Sequence, residues 1–292
     1  MTKESLPIYQ IQDYHSSGLN KHYFYLNSFA SHLKEHLFIQ KPHKHDFYIV
    51  LFITTGVGKH TIDFNEYEVK PNTVFFMVPG QVHSWQLSED ADGYIIMFTA
   101  TFYLKFYPDR KLYHYPFFNA SLHKPVLTVS SFQETNILNY FMEMAQEHSS
   151  GGWLKQEMIC HYLDMILIRF ARLFRGQVPE EEYITGSLSQ LQFLEDLIDK
   201  HYKKHLPVSF YAEQIHVTIK QLNDTSKRAL GKTVNELVQE RILLEAQRLL
   251  VHSDLTSTQI AADLGYFDNA YFFRFFKKQT GLTPEQFRNS EK

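Results

Sequence analysis

Ten residues near the C-terminus, Asn269-Ala-Tyr-Phe-Phe-Arg-Phe-Phe-Lys-Lys278, set two kinds of DNA chemistry side by side. A guanidinium such as that of Arg274 can grip a guanine edge through two parallel hydrogen bonds, and a carboxamide such as that of Asn269 can do the same for adenine. Lysines such as Lys277 and Lys278 neutralise phosphate without reading sequence. Wound as a helix, the stretch turns Phe272 and Phe276 inward and leaves Asn269, Ala270, Phe273, Arg274 and Lys277 outward. Residues Thr218–Lys232 have a similar make-up. Leu222 and Leu230 fall on one face, while Lys220, Gln221, Asn223, Asp224 and Lys227 fall on the other. Asn223 has the same adenine chemistry as Asn269. Asp224 either accepts from a cytosine amino group or faces away from DNA. Each stretch is net +3: Lys220, Lys227, Arg228 and Lys232 stand against Asp224 alone, and Arg274, Lys277 and Lys278 stand against no acid. For a single such helix, a solvated surface face is as good a reading.

The elements around these residues favour the DNA reading. Thr218-Ile-Lys-Gln221, Thr233-Val-Asn-Glu236, Thr256-Ser-Thr-Gln259 and Thr283-Pro-Glu-Gln286 all have the pattern of a capping box, in which a threonine oxygen and a returning Gln or Glu satisfy free N–H groups at a helix start. Pro284 sits at a first helical position, and Gly231 and Gly281 sit where helices should stop. These marks divide the region into two similar units. The first has a helix at 208–215, a turn at His216-Val217 and a helix at 218–230; the second has a helix at 256–264, a turn at 265–267 and a helix at 268–280. Each is the outline of a helix-turn-helix. The helix expected between them, Val234–Val251, is near neutral and would span roughly 27 Å at 1.5 Å per residue. Successive major-groove segments on one face of DNA lie about 34 Å apart, so one stiff helix can carry two reading heads.

A second chemical constellation lies far upstream. His43, His45 and His83 are three imidazoles in a region rich in short apolar runs, with Phe47 and Trp85 close by in sequence. Three imidazoles can hold zinc. They can equally form the polar lining of an effector pocket, or be structural or surface histidines. Phe47, Trp85 and the Phe75-Phe76 pair suit either an apolar pocket or a core.

Composition limits the rest. The chain has 292 residues, 44% hydrophobic and 21% charged, which suits one to three folded domains. The net charge of −3 does not announce nucleic acid, and from Ser187 onward there are 14 Lys+Arg against 13 Asp+Glu, leaving 15 against 19 before it. A DNA reading therefore rests on where the cations sit. The single cysteine, Cys160, excludes a disulfide framework and thiolate metal clusters, so a reducing cytoplasm is expected. The N-terminus lacks the basic-then-apolar pattern of a signal peptide, and the apolar runs are too short or too charged to span a bilayer. No nucleophile has a base at telling spacing, and no glycine loop suits phosphate, so neither an enzyme nor a cofactor is expected.

Residues 1–20 are polar and mixed and suggest an arm. Phe47–Ile53, Thr61–Phe64, Val74–Val78 and Tyr94–Phe98 read as strands, separated by Thr55–Gly58, Lys70–Asn72 and Pro79-Gly80, which predicts a sandwich or small barrel. From about Ser131 the period becomes helical, through Phe132, Ile137, Leu138, Phe141, Met142 and Ala145. A longer helix follows at about 153–175. Its apolar stripe suits either packing on the β region or a helix–helix dimer seam. An acidic linker, Arg175–Tyr183, precedes the C-terminal helices.

The stretch from Arg248-Leu-Leu-Val through Ile260-Ala-Ala-Asp-Leu-Gly-Tyr-Phe-Asp and Tyr271-Phe-Phe-Arg-Phe-Phe-Lys-Lys-Gln-Thr-Gly-Leu-Thr-Pro-Glu-Gln-Phe-Arg288 resembles the signature of AraC/XylS-type bacterial transcription regulators. The resemblance covers about 188–288. It implies base-reading roles for Lys220, Asn223, Asp224, Asn269, Ala270 and Arg274. More loosely, His43–Tyr48, Gly56–Phe64, Asn72–Pro79 and Gln81–Trp85 resemble the cupin-like sensor domain common in that family. The carboxylate of a cupin metal site has no counterpart here, because its position falls near Ile49 or Val50. The expected architecture is α+β in two domains: a cupin-like β-barrel with helices, then an all-α tandem helix-turn-helix domain. The expected divisions are a β domain at 1–130, a helical dimerisation segment at 131–175, a linker at 176–187 and a DNA-binding domain at 188–292. Promoter DNA, a small-molecule effector, RNA polymerase and a second copy of the chain are the expected partners. The rivals are a metal-dependent cupin enzyme with a DNA-binding tail and a nonspecific architectural DNA protein.

Overall fold

Strand β4, Tyr48–Thr55, is buried on both faces, which is why its sequence is an unbroken apolar run rather than an alternating one. The computed structural model describes residues 7–14, 23–36, 41–110, 112–118, 124–150, 152–176 and 185–290. The chain divides into two compact units, one within 7–179 and one within 180–292.

In the first unit β4 is the middle of a five-stranded sheet. Its neighbours are β7 (Thr73–Met77) and β9 (Asp92–Phe98), with β10 (Val126–Thr128) and β2 (Phe24–Ser28) at the edges, all antiparallel. Side chains alternate across the pleat. Val50, Phe52, Val74, Phe76, Ile96 and Phe98 enter one core, and Ile49, Leu51, Ile53, Phe75, Met77, Ile95 and Met97 enter the other. Phe75 and Phe76 therefore face opposite ways and cannot line one pocket together. The second core is shared with a three-stranded sheet of β6 (Asn65–Val69), β5 (Gly58–Ile62) and β8 (His83–Leu87), which adds Ile62, Val69 and Trp85.

Helices α3 (Ser131–Ser150) and α4 (Lys155–Gly176) join the first core through Phe141, Met144, Leu163, Ile166, Leu167 and Phe170. The Phe52 and Phe141 rings lie 5.8 Å apart, and those of Phe76 and Phe170 lie 5.5 Å apart. Met144, rather than the expected Met142, is the buried methionine of α3; Met142 is 57% exposed. The runs at 47–53, 74–78 and 94–98 fall largely in β4, β7 and β9, but the run at 61–64 is strand only to Ile62 and turns at Asp63-Phe64 before β6; among the elements that were not expected, four stand out. Residues Ile8-Tyr9 (β1) pair with Lys44-His45 (β3), and Ile11 and Tyr14 are buried, so this part of the expected arm belongs to the fold. The other three are β10, α1 (Phe29–Glu35) and α2 (Ala100–Phe106). Ser28 and Thr99 cap α1 and α2 without a returning Gln or Glu, so the capping-box pattern does not reveal them. Most of the expected linker at 176–187 lies outside the described residues, and its last three residues open α5 (Thr185–His201).

The second unit continues with α6 (Val208–Ile215), α7 (Ile219–Leu230), α8 (Val234–His252), α9 (Ser257–Asp263), α10 (Asn269–Thr280) and α11 (Pro284–Ser290). All four expected capping boxes form. Gly231 and Gly281 end α7 and α10 with φ of 70° and 78°, the left-handed region that glycine enters without a Cβ clash. The long α8 buries Val238, Ile242, Ala246 and Leu250. Its charges are used internally. Glu245 pairs with Arg248 at 3.1 Å and Arg241 at 3.2 Å, and Arg241 reaches Asp199 of α5 at 2.6 Å beneath the Tyr202 ring.

One polar cluster locks α2 and the loop after it to α4. Asp164, 7% exposed, accepts hydrogen bonds from the hydroxyls of Tyr103 (2.6 Å) and Tyr115 (2.8 Å), with Arg110 at 3.2 Å. Tyr103 and Tyr115 also bond each other at 2.8 Å, so Asp164→Ala leaves one of two buried phenol protons without an acceptor and should lower the unfolding free energy of this unit by about 3 kcal/mol. Asp164→Asn keeps an acceptor oxygen and should lose clearly less. Urea unfolding followed by near-ultraviolet circular dichroism measures both, and equal losses would rule out the acceptor role.

Candidate nucleic-acid interface

The two helix-turn-helix units are near copies. Leu222 and Ser226 of α7 stand at the same steps as Phe272 and Phe276 of α10, and the order of buried, half-buried and exposed residues from Lys220 to Leu230 repeats from Ala270 to Thr280. In front of each, α6 buries Tyr211, Ala212 and Ile215, while α9 and its C-cap bury Ile260, Ala261 and Leu264. Phe272 and Phe276 are fully buried and anchor α10 to its own unit, with Phe276 against Phe287 of α11 at 5.5 Å. Ser226 replaces that bulk with a hydrogen bond to the Lys232 carbonyl at 2.6 Å. Each helix therefore shows solvent one face with the same geometry.

Several expected site residues lie on those faces. Lys220, Gln221, Asp224 and Lys227 of α7 are exposed, as are Ala270, Arg274, Lys277 and Lys278 of α10. Lys220, Lys227, Lys277 and Lys278 make no close ion pair among the described residues, so their charge is available to phosphate. Arg274 lies 3.8 Å from Asp268, an exposed pair of little energetic weight. Three placements differ from expectation. Asn223 is half-buried, and its side-chain oxygen accepts from the Val234 N–H at 3.1 Å, so it braces the start of α8 rather than pointing outward. Phe273, at the matching step of α10, is half-buried beside Phe272, and Asn269 is half-buried too. The Gln221 oxygen folds back onto the Thr218 N–H at 3.0 Å, which leaves only its amide nitrogen free of the cap. Other exposed residues of the two helices lie outside the expected set, among them Ile219 (47% exposed), Arg228 and Tyr271 (57% exposed). Each of these three sits one step from an expected reader, and helical spacing alone is enough to find them.

In the first unit the structure gathers the histidines. His43 and His83 form a backbone bridge, their rings 4.2 Å apart, and His45 lies 5.0 Å from His83. His60, unexpected from the sequence, completes the group: its Nε2 lies 3.2 Å from His83 Nδ1, and its ring stacks on Trp85 at 4.0 Å. Its signal was position, since it alternates with buried Ile62 on β5 and pairs with Trp85 across β8. Phe47 is fully buried and stacks on His45 at 4.8 Å. His43 Nδ1 donates to the Lys41 carbonyl and His45 Nδ1 to the Phe47 carbonyl, both at 2.9 Å. That leaves His45 Nε2, His60 Nδ1, His83 Nε2 and Trp85 Nε1 buried without a partner among the described residues. Among the described residues no three His, Cys, Asp or Glu side chains are gathered as a metal site.

Burial holds these imidazoles neutral. It takes His45 down to about 3, as it does the buried His32 of α1, and lowers His43, His60 and His83. Neighbouring histidines add to the effect at His32, His45, His60 and His83. Each binds a proton more readily unfolded than folded. Stability is therefore full above the ordinary imidazole value of about 6.5 and drains away as pH falls from there toward 3. The thermal midpoint of this unit should drop steadily between pH 7 and pH 5. A flat profile there would mean these groups titrate alike in both states.

Two family models match this chain, one within each unit. Residues 26–176 match a family model described as an AraC-like ligand binding domain, and residues 211–290 match a helix-turn-helix domain model. The transcriptional activator RhaR of Escherichia coli strain K12 is 26% identical over 268 residues, covering 86% of this chain and 88% of its own length. Among solved structures, the C-terminal domain of AraT, a response regulator from Geobacillus stearothermophilus, is 28% identical with a TM-score of 0.33, covering 35% of this chain and 84% of that one. ToxT from Vibrio cholerae covers 91% of this chain and 98% of its own at 12% identity and a TM-score of 0.42.

Proposed function

We propose, for a chain that belongs to the AraC family of DNA-binding transcription regulators with an N-terminal ligand-binding domain, that α7 and α10 are its two reading heads and lie in adjacent major-groove segments. The observation that carries this is the repeat itself: two helices with one burial pattern, each showing solvent a face with unpaired lysines, on either side of one long helix. Arg274 and the exposed end of α10 read base edges, as Lys220 and Asp224 do on α7, while Lys227, Arg228, Lys277 and Lys278 hold phosphate. Asn269, Ala270, Phe273 and the Gln221 amide border the read bases, and Asn223 positions α7 against α8. The expected divisions, at residues 130, 175 and 187, separate sensor, dimer helices, linker and DNA-binding domain.

The effector is read by the first unit. The buried and partnerless polar atoms of His45, His83 and Trp85, with His43 and Phe47 beside them, are the groups a small polar ligand would satisfy. Among the described residues no helix is long and apolar enough to cross a membrane, and we place the protein in the cytoplasm with RNA polymerase as its downstream partner. The known relatives are regulators of transcription, and this reading assigns no catalytic step.

Footprinting with the full chain on genomic DNA tests the central claim; protection without sequence preference would sink it. Arg274→Ala should cost about 1–3 kcal/mol at one base position and relax its specificity, whereas Lys278→Ala should weaken all sequences and reduce the salt slope by about one. Equal weakening by Arg274→Ala on every sequence would make that residue a phosphate contact.

Residues 131–175 form the homodimer contact on this reading. Their outer surface keeps Met142, Leu154, Met158 and Met165 exposed, at 57%, 47%, 43% and 38%. Met165→Asp should shift the sedimenting species toward the monomer while leaving the melting midpoint in place, and an unchanged distribution would place the dimer contact elsewhere.

A further inference from the structure

The turns of the two helix-turn-helix units differ by one residue, and that residue is Phe267. In the first unit the α6 C-cap is left-handed at His216 (φ 60°), Val217 N–H bonds the Ala212 carbonyl at 3.0 Å, and Thr218 caps α7 directly. In the second, Gly265 is left-handed (φ 82°) and Tyr266 N–H bonds the Ala261 carbonyl at 2.9 Å, but Phe267 intervenes before the cap residue Asp268. An apolar residue just before a cap normally packs on the fourth residue of the helix, here Phe272. The extra residue changes that. Tyr266 takes the packing position, with its ring 5.3 Å from Phe272, and Phe267 is turned out at 109% exposure.

This exposed ring stands on a rigid mount. A Cβ on Gly265 would lie 2.0 Å from the Lys203 carbonyl oxygen, so the turn is pressed against the segment after α5. His205 bonds the Leu264 carbonyl at 2.9 Å and holds the Tyr266 ring at 4.5 Å. Lys203 pairs with Asp263 at 2.7 Å, and Asp268 accepts from the Ala270 N–H at 2.8 Å. Every neighbour of Phe267 in the chain is tied down. Tyr271 lies four residues on and is 57% exposed, with Arg274 and Lys278 beyond it along α10. The apolar tip therefore leads a cationic helix.

We infer that Phe267, with Tyr271 four residues on, is an apolar reader that packs on thymine C5-methyl groups at the major-groove edge. Phenylalanine is among the side chains suited to that methyl, which only thymine presents there. Charge complementarity selects DNA as the occupant, since Arg274, Lys277 and Lys278 share this helix with no acid among them. The inference rests on the reading of α10 as a groove helix.

The test separates the two. The full chain is used to enrich binding sites from random duplex DNA, and each thymine of the enriched site is replaced in turn by uracil, which removes only the methyl. For the unaltered chain, one or two of these replacements should weaken binding about four- to tenfold. Phe267→Ser should bind the parent site weaker by a similar factor and be indifferent to uracil at those positions, with Phe267→Leu in between. A Phe267→Ser chain with the unaltered affinity and uracil profile overturns the inference while leaving the groove reading intact, provided that Arg274→Ala still relaxes one base. Loss confined to transcription with purified polymerase, with DNA binding unchanged, also overturns it and makes the ring a protein contact. If no sequence is enriched, the groove reading fails and takes this inference with it.

Discussion

The inward packing of Leu222 in α7 and of Phe272 and Phe276 in α10 is the constraint on which the rest of the C-terminal unit depends. A helix of 12 residues is marginal in isolation, and its stability comes from the apolar stripe it buries. Once that stripe is committed, the angular position of every other residue on the helix follows. Arg274 is exposed because Phe272 and Phe276 are not. The same geometry holds in α7, where Ser226 fills the second anchor position with a hydrogen bond instead of a ring. Hydrophobic burial and polar satisfaction thus solve the same positional problem in the two repeats.

Charge placement depends on the same packing. A chain of net charge −3 can still bind a polyanion if its acids are engaged elsewhere. Glu245 of α8 and Asp199 of α5 pair with arginines, Glu240 takes Lys232 at 2.8 Å, and Asp263 takes Lys203. Among the described residues the lysines of the outward faces keep no such partner. On the proposed reading, what reaches DNA is the local field of two short helices, and the whole-chain charge is a poor guide to it.

Much of this was legible from the sequence wherever the determining signal was local. A capping box is read within four residues, and all four proved real; the strand runs Phe47–Ile53 and Val74–Val78 were readable because a strand buried on both faces has no polar residue to confuse the pattern. What escaped was set by contacts remote in sequence. His60 belongs with His83 because β5 pairs with β8, and Ile11 and Tyr14 are buried only because β1 finds β3. Asn223 looked like a free carboxamide until its oxygen was found on the Val234 N–H, eleven residues ahead. Helical periodicity assigns a face, but it cannot tell whether a polar side chain on that face is already bound to the next element.

The two heads share a backbone and differ in chemistry. The exposed residues of α7 are Ile219, Lys220, Gln221, Asp224, Lys227, Arg228 and Ala229, five of the seven with polar termini. Those of α10 include Ala270, Tyr271, Arg274, Lys277 and Lys278, led by an aromatic turn. Palindromic operators mirror a two-fold axis between identical heads. Heads repeated along one chain have no such axis between them, and apart from Lys227 and Lys277 these two carry different side chains at their matching exposed steps. On the proposed reading, one copy of the chain therefore recognises an asymmetric site, one groove segment read mainly by polar groups and the next by a guanidinium beside aromatic surface. A second copy would repeat that asymmetric site, in an orientation set by the contact between copies and not by the heads themselves.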